Sequence, residues 1–352
     1  KERESHRGVP WHRKGMSMKT DRLYDPRIAV IGGGTGLSTM LRGLKKLSRN
    51  ITAIVTVADD GGGSGMLRAD LGMPPPGDVR NCIQALANTE PIMEKLLAYR
   101  FTEGSLKGQS FGNLFLAALN GMSDTFDEAV RRMSDVLAIT GRVLPVTNEN
   151  VYLAAEFDDG SEAVGESHIA EFKKGTDKRI RRVRLIPERP RALPQALEAI
   201  EDADMIVLGP GSLYTSIMPN LVTEGVAEAI ANSDAFKIYV LNVMTQDGET
   251  EGYTASDHIE ALFSNSGAHL FDWCLANSLA IPAELAERYG AEGAEQVEID
   301  DEAVYRLGVG ILRAPVASWQ SGYVRHDPDA LSRELLRLYR EKSHTRVYGE
   351  EG

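Results

Sequence analysis

Hydrophobic residues in this chain fall into short unbroken runs that alternate with stretches of helical spacing. The runs are Ile28–Ile31, Ile51–Ala58, Ala203–Leu208, Lys237–Asn242, Leu270–Leu275 and Leu307–Leu312. Each is too short for a helix and too continuously apolar for a strand with one wet face, so each predicts an interior strand of a parallel sheet. Between them, Thr35–Leu47 carries Leu37, Leu41, Leu44 and Leu47 at helical intervals. Similar spacing predicts helices over Pro91–Arg100, Phe111–Met122, Asp124–Thr140 and Asp329–Arg340, and one that starts near Asp78 with Val79, Ile83 and Leu86. Asp124 and Asp127 stand at the spacing of a capping box, and Asp78 has the residue type of an N-cap.

The rhythm breaks between residues 141 and 186. Gly141–Thr147, Val151–Phe157, Ser161–Gly165 and Arg179–Ile186 read as strands without intervening helices, with Asp158-Asp159-Gly160 as a hairpin turn. This predicts an antiparallel insertion in an α/β domain spanning 27–341, of Rossmann-like three-layer αβα architecture with a mainly parallel sheet. Residues 1–26 are polar and basic without periodicity and predict a disordered extension, and 342–352 a tail.

Candidate chemistry sits where strands end. The first run passes into Gly32-Gly33-Gly34-Thr35-Gly36, a strand-turn-helix junction whose backbone can approach a ligand and whose helix N-terminus favours an anion such as phosphate. It matches neither G-x-G-x-x-G nor the Walker pattern, which argues against a nicotinamide-dependent dehydrogenase. The second run enters Asp59-Asp60-Gly61-Gly62-Gly63-Ser64-Gly65, placing two carboxylates at a sheet edge that suits a ribose hydroxyl or Mg²⁺ near phosphate. A second glycine junction, Gly209-Pro210-Gly211-Ser212, adds a hydroxyl donor. Asn113 opens a helix that can face the same cleft. Arg80 and Asn81 follow Asp78 in a first helical turn, where a cation opposes the helix dipole unless it meets an anion.

Composition narrows the partners. A net charge of −12 and a pI near 5.2 disfavour nucleic acid and anionic membranes, and no apolar run is long enough for membrane insertion. Cys82 and Cys274 are far apart, which suits a reducing cytoplasm.

Taken together, GGGTGL, VADDGGGSG, PPPGDVRNC, FGNLFL, VLGPGSLYTSIMPNL and NVMTQDGET resemble the YvcK/CofD-like family, over about Arg27–Asp327. The resemblance implies one of two activities. CofD-type members are phospholactate transferases, and YvcK-type members are gluconeogenesis factors that bind UDP-N-acetylglucosamine and are needed for cell shape on gluconeogenic carbon. After Asp59-Asp60 the chain follows the YvcK pattern, with Gly63 where the family more often has Ser. The resemblance therefore implies a nucleotide-sugar ligand, no required cofactor, a homo-oligomer and a protein partner in cell-wall control. It further implies that Tyr289 and Arg325 engage the UDP-sugar. No catalytic residue or resident metal is expected on this reading; a transferase would instead hold Mg²⁺ at Asp59 or Asp60.

Overall fold

The structure is a computed structural model that describes residues 25–174 and 176–348. The extension expected at 1–26 lies almost wholly outside the described residues. Its organising strand, β1 (Ile28–Gly32), is buried at every position, as its unbroken apolar run requires. It leads into α1 (Gly34–Leu44), β2 (Ile51–Val55), α2 (Gly62–Leu71), α3 (Gly77–Leu86), α4 (Pro91–Ala98), α5 (Phe111–Asn120), α6 (Phe126–Val136) and β3 (Arg142–Pro145). The insertion follows as β4 (Tyr152–Phe157), β5 (Glu162–Val164), α7 (Glu166–Lys173) and β6 (Ile180–Ile186). Then come α8 (Pro194–Glu201), β7 (Met205–Leu208), a π-helical turn at Leu213–Ile217, α9 (Met218–Leu221), α10 (Val226–Asn232), β8 (Phe236–Val240), α11 (Ala255–Ser266) and β9 (Trp273–Asn277). The chain ends through α12 (Ala283–Ala291), α13 (Asp301–Arg306), β10 (Gly310–Ala314), β11 (Ala317–Ser318), β12 (Arg325–His326) and α14 (Pro328–Tyr348).

Seven strands form one parallel sheet in the order β10-β9-β8-β7-β1-β2-β3, flanked by helices. The chain winds from β1 outward through β2 to β3, then returns to the other side of β1 and winds outward again. The β1/β7 boundary is thus the point where strand order reverses, and the loops after β1, β2 and β7 leave the sheet by one edge, as expected.

The antiparallel insertion is smaller than the sequence suggests. β3 pairs in parallel with β2 as the edge of the main sheet, and only β5-β4-β6 form a separate antiparallel sheet. A four-residue strand carries no mark of its partner, and α7, absent from the sequence reading, fills the gap between β5 and β6. Likewise α2 begins inside the expected glycine loop, at Gly62. Thr125, not Asp124, precedes α6, and the Glu128 carboxylate accepts the Asp124 N–H at 3.0 Å. The closing helix α14 runs through Tyr348, well into the expected tail. Among the described residues no helix is long and apolar enough to cross a membrane.

Candidate functional site

At the reversal point the two glycine junctions meet backbone to backbone. Gly34 adopts φ +67°, a left-handed turn natural to glycine, and opens α1 after Gly33, which has no side chain to cap it. A Cβ on Gly36 would lie 2.6 Å from the Pro210 carbonyl oxygen, so a side chain there would push the junctions apart. Gly209 turns at φ +74° after β7, and the loop behind it is pinned from two sides. Asn242 Nδ2 donates to the Gly211 carbonyl at 2.8 Å, and Gln246 Nε2 donates to Ser212 Oγ at 2.9 Å. From below, Asn220 Nδ2 donates to the Gly32 carbonyl at 3.1 Å.

A groove of about 440 Å³ lies over this junction, lined by Thr35, Gly36, Ser212, Gln246, Tyr289 and Arg325 among others. Tyr289 and Arg325 are thus brought to the glycine loops, though they come from separate elements. The Tyr289 hydroxyl accepts the Val324 N–H at 3.0 Å, which fastens the β11–β12 hairpin to α12. Arg325 lies in the two-residue strand β12, where pairing with Ser318 holds its backbone while its side chain stays exposed. It makes no ion pair among the described residues. The groove therefore offers the first turn of a helix on one wall and a guanidinium fork on another, both suited to phosphate oxygens.

The second glycine loop builds a different, adjoining cleft. Asp59 accepts the Gly61 N–H at 2.8 Å, and burial raises its pKa. Asp60 accepts both the N–H and the hydroxyl of Ser167 at 3.0 Å, so it ties the insertion to the core. Asp78 is not an N-cap, because Pro76 precedes α3; its carboxylate instead accepts the Gly34 N–H, joining this cleft to α1. Desolvation, reinforced by Asp59, raises Asp78 to about 7. Arg80 finds its partners within the protein: Nε donates to Asn113 Oδ1 and Nη1 to Gln84 Oε1, both at 3.1 Å. That answers the dipole conflict of the α3 first turn without an external anion. Asn113 is buried beside Ser64, and Asn81 is half-buried one residue beyond Arg80.

Sequence reasoning missed two acids of this cleft. Burial, with Asp59, Asp78 and Glu249 nearby, raises Glu166 to about 9. Glu249 is raised to about 7 by burial, although it accepts the Thr215 hydroxyl at 2.8 Å and the Tyr214 N–H at 3.2 Å. Glu249 lies inside the NVMTQDGET block, so its place in a polar loop after a strand was the available signal; Glu166 had none. Among the described residues no group of three or more His, Cys, Asp or Glu is gathered as a metal-holding cluster.

Fold and groove together define a doubly wound α/β protein whose candidate site occupies the switch point. The family described as 2-phospho-L-lactate transferase CofD matches residues 28–317, and the chain belongs to that family. A protein of Thermoanaerobacterium thermosulfurigenes is 54% identical over 90% of this chain and 98% of its own length. A protein of Bacillus subtilis (strain 168) named "Gluconeogenesis factor" is 46% identical over 90% of this chain and 99% of its own. A crystal structure of a Bacillus halodurans protein superposes with a TM-score of 0.85 at 45% identity, covering 89% of this chain and 99% of that one.

Proposed function

We propose that this chain is a regulatory binding protein for UDP-N-acetylglucosamine, a gluconeogenesis factor acting on cell shape during growth on gluconeogenic carbon, without turnover of its ligand. The observation that carries the reading is the groove itself. Two glycine junctions touch at the switch point, and the first turn of α1 and Arg325 line one groove of a size that suits a pyrophosphate. The name of the Bacillus subtilis relative supports the gluconeogenesis part of the proposal. Calorimetry against UDP-N-acetylglucosamine, UDP and free N-acetylglucosamine is the test. The two nucleotides should bind and the free sugar should not; equal weak binding of all three would sink the reading.

A second reading is favoured by the adjoining acids and by the description of the family. In it the nucleotide groove is one half of a transferase and the acid cleft handles protons for an acceptor. Incubation with UDP-sugar, Mg²⁺ and candidate acceptors distinguishes the two, because a transferase releases nucleotide and a regulatory binder does not.

A further inference from the structure

The wall of the nucleotide groove that carries Tyr289 and Arg325 has a small core of its own. Val243, Met244, Ala317 and Val324 form a buried cluster separate from the main one, with Tyr289 and Trp319 packed against it. Exposure alternates along the end of this wall: Val324 and His326 are buried, whereas Tyr323 and Arg325 are exposed, so these last two share the outer face of the hairpin. They also meet. The Arg325 guanidinium carbon lies 5.8 Å from the centre of the Tyr323 ring, and that of Arg288, on α12, lies 5.2 Å from the same centre. Both distances are within the range of cation–π attraction. Arg288 Nη2 also donates to the Gly322 carbonyl, and the Gly322 N–H donates to the Trp319 carbonyl at 2.9 Å. The turn that presents Tyr323 is therefore fastened to α12.

We propose that Tyr323, held by Arg288, is a positioning residue for Arg325. Its ring restricts the Arg325 guanidinium to orientations from which the fork meets phosphate oxygens. Tyr323 itself is 55% exposed and does not line the groove, so neither core packing nor contact with a ligand accounts for it. The inference rests on the nucleotide reading of the groove and adds Arg288 and Tyr323 to the residues on which binding depends. An exposed arginine loses rotamer freedom when a ligand orders it, and a side chain ordered beforehand binds more tightly. Two guanidinium groups crowded on one ring also repel each other, and an anionic ligand offsets that repulsion.

Calorimetry with UDP on a double-mutant cycle is the test. Tyr323→Ala should weaken binding roughly two- to fivefold, the scale of one exposed cation–π contact, and Tyr323→Phe, which keeps the ring, should bind as the parent does. In an Arg325→Ala background Tyr323→Ala should cost nothing further, because the two changes then remove one coupled interaction. An equal loss in both backgrounds would mean that Tyr323 acts on the hairpin and not through Arg325, and it overturns the proposal. So does a Tyr323→Phe protein as weak as Tyr323→Ala. Arg288→Ala should reproduce the loss in the parent but not deepen it in the Tyr323→Ala background; additive losses there overturn the link between these two residues. A parent that binds neither UDP nor UDP-N-acetylglucosamine removes the nucleotide reading and this inference together, whereas a parent that binds UDP no more tightly than Tyr323→Ala removes this inference alone.

Discussion

Gly36→Ala tests the contact on which the candidate site depends. The new Cβ would lie 2.6 Å from the Pro210 oxygen, 2.9 Å from its carbonyl carbon and 3.2 Å from the Gly211 nitrogen. All three are backbone atoms, so no side chain can swing away to relieve the clash. An ordinary contact needs about 3.4 Å, so the Gly209–Ser212 loop must retreat by roughly 0.8 Å against the bonds from Asn242 and Gln246. Overpacking of this kind costs about 1–3 kcal/mol. In domains of about 150–250 residues that corresponds to a fall in Tm of roughly 2–4 °C per kcal/mol, so a drop of several degrees is expected. UDP-N-acetylglucosamine affinity should fall with it, about tenfold for each ~1.4 kcal/mol of mismatch. Gly290→Ala is the matched contrast, because a Cβ there meets nothing within 4 Å and the residue is helical. It should leave binding alone and raise stability by up to about 1 kcal/mol, the ordinary helix preference of alanine over glycine. Scanning calorimetry and ligand titration on both variants decide the matter. A Gly36→Ala protein that melts and binds like the parent would refute the backbone-to-backbone junction, and one that loses stability while binding unchanged would move the ligand elsewhere.

Arg325→Ala should weaken UDP-sugar binding by about 1.5–3 kcal/mol, the scale of hydrogen bonds to charged groups, and Arg325→Lys by less; unchanged titrations with both variants would remove this residue from the site. Asp78 ionises near pH 7 at the α1 N-terminus, so nucleotide affinity should decline as pH rises from 6 to 8. Asp78→Asn should flatten that decline several-fold, and equal slopes in parent and variant would exclude it as the cause. Glu249 has its pKa raised from 4.5 to about 7 by burial, so its contribution to stability is complete below about 4.5 and is lost as pH rises through 7. The full shift is worth roughly 3 kcal/mol, and Glu249→Gln should therefore narrow the gap between melting temperatures at pH 5 and pH 8; parallel melting curves would count against it.

What was legible in the sequence and what was not divide along a physical line. β1 and its glycines could be read because burial on both faces demands an unbroken apolar run, and a backbone approach of 2.6 Å demands glycine, whatever the rest of the chain does. Those are local requirements. The same logic explains the errors over α2 and β3. Glycines in a helix's first turn look like a loop, and a four-residue strand is the same whether its neighbour runs parallel or antiparallel. Asp78 looked like a cap because its residue type fits one. Its actual partner, the Gly34 N–H, lies 44 residues earlier and meets it only because α1 and α3 start at the same sheet edge. Glu166 is the extreme case. It is an ordinary acid opening an ordinary helix, and it becomes a cleft residue because Asp60 binds Ser167 and folds the insertion back over the core. A nonlocal contact of that kind leaves its trace in the partner rather than in the residue itself. Asp60 was read as a ligand-binding acid, and its two bonds to Ser167 are what bring Glu166 within the field of Asp59 and Asp78.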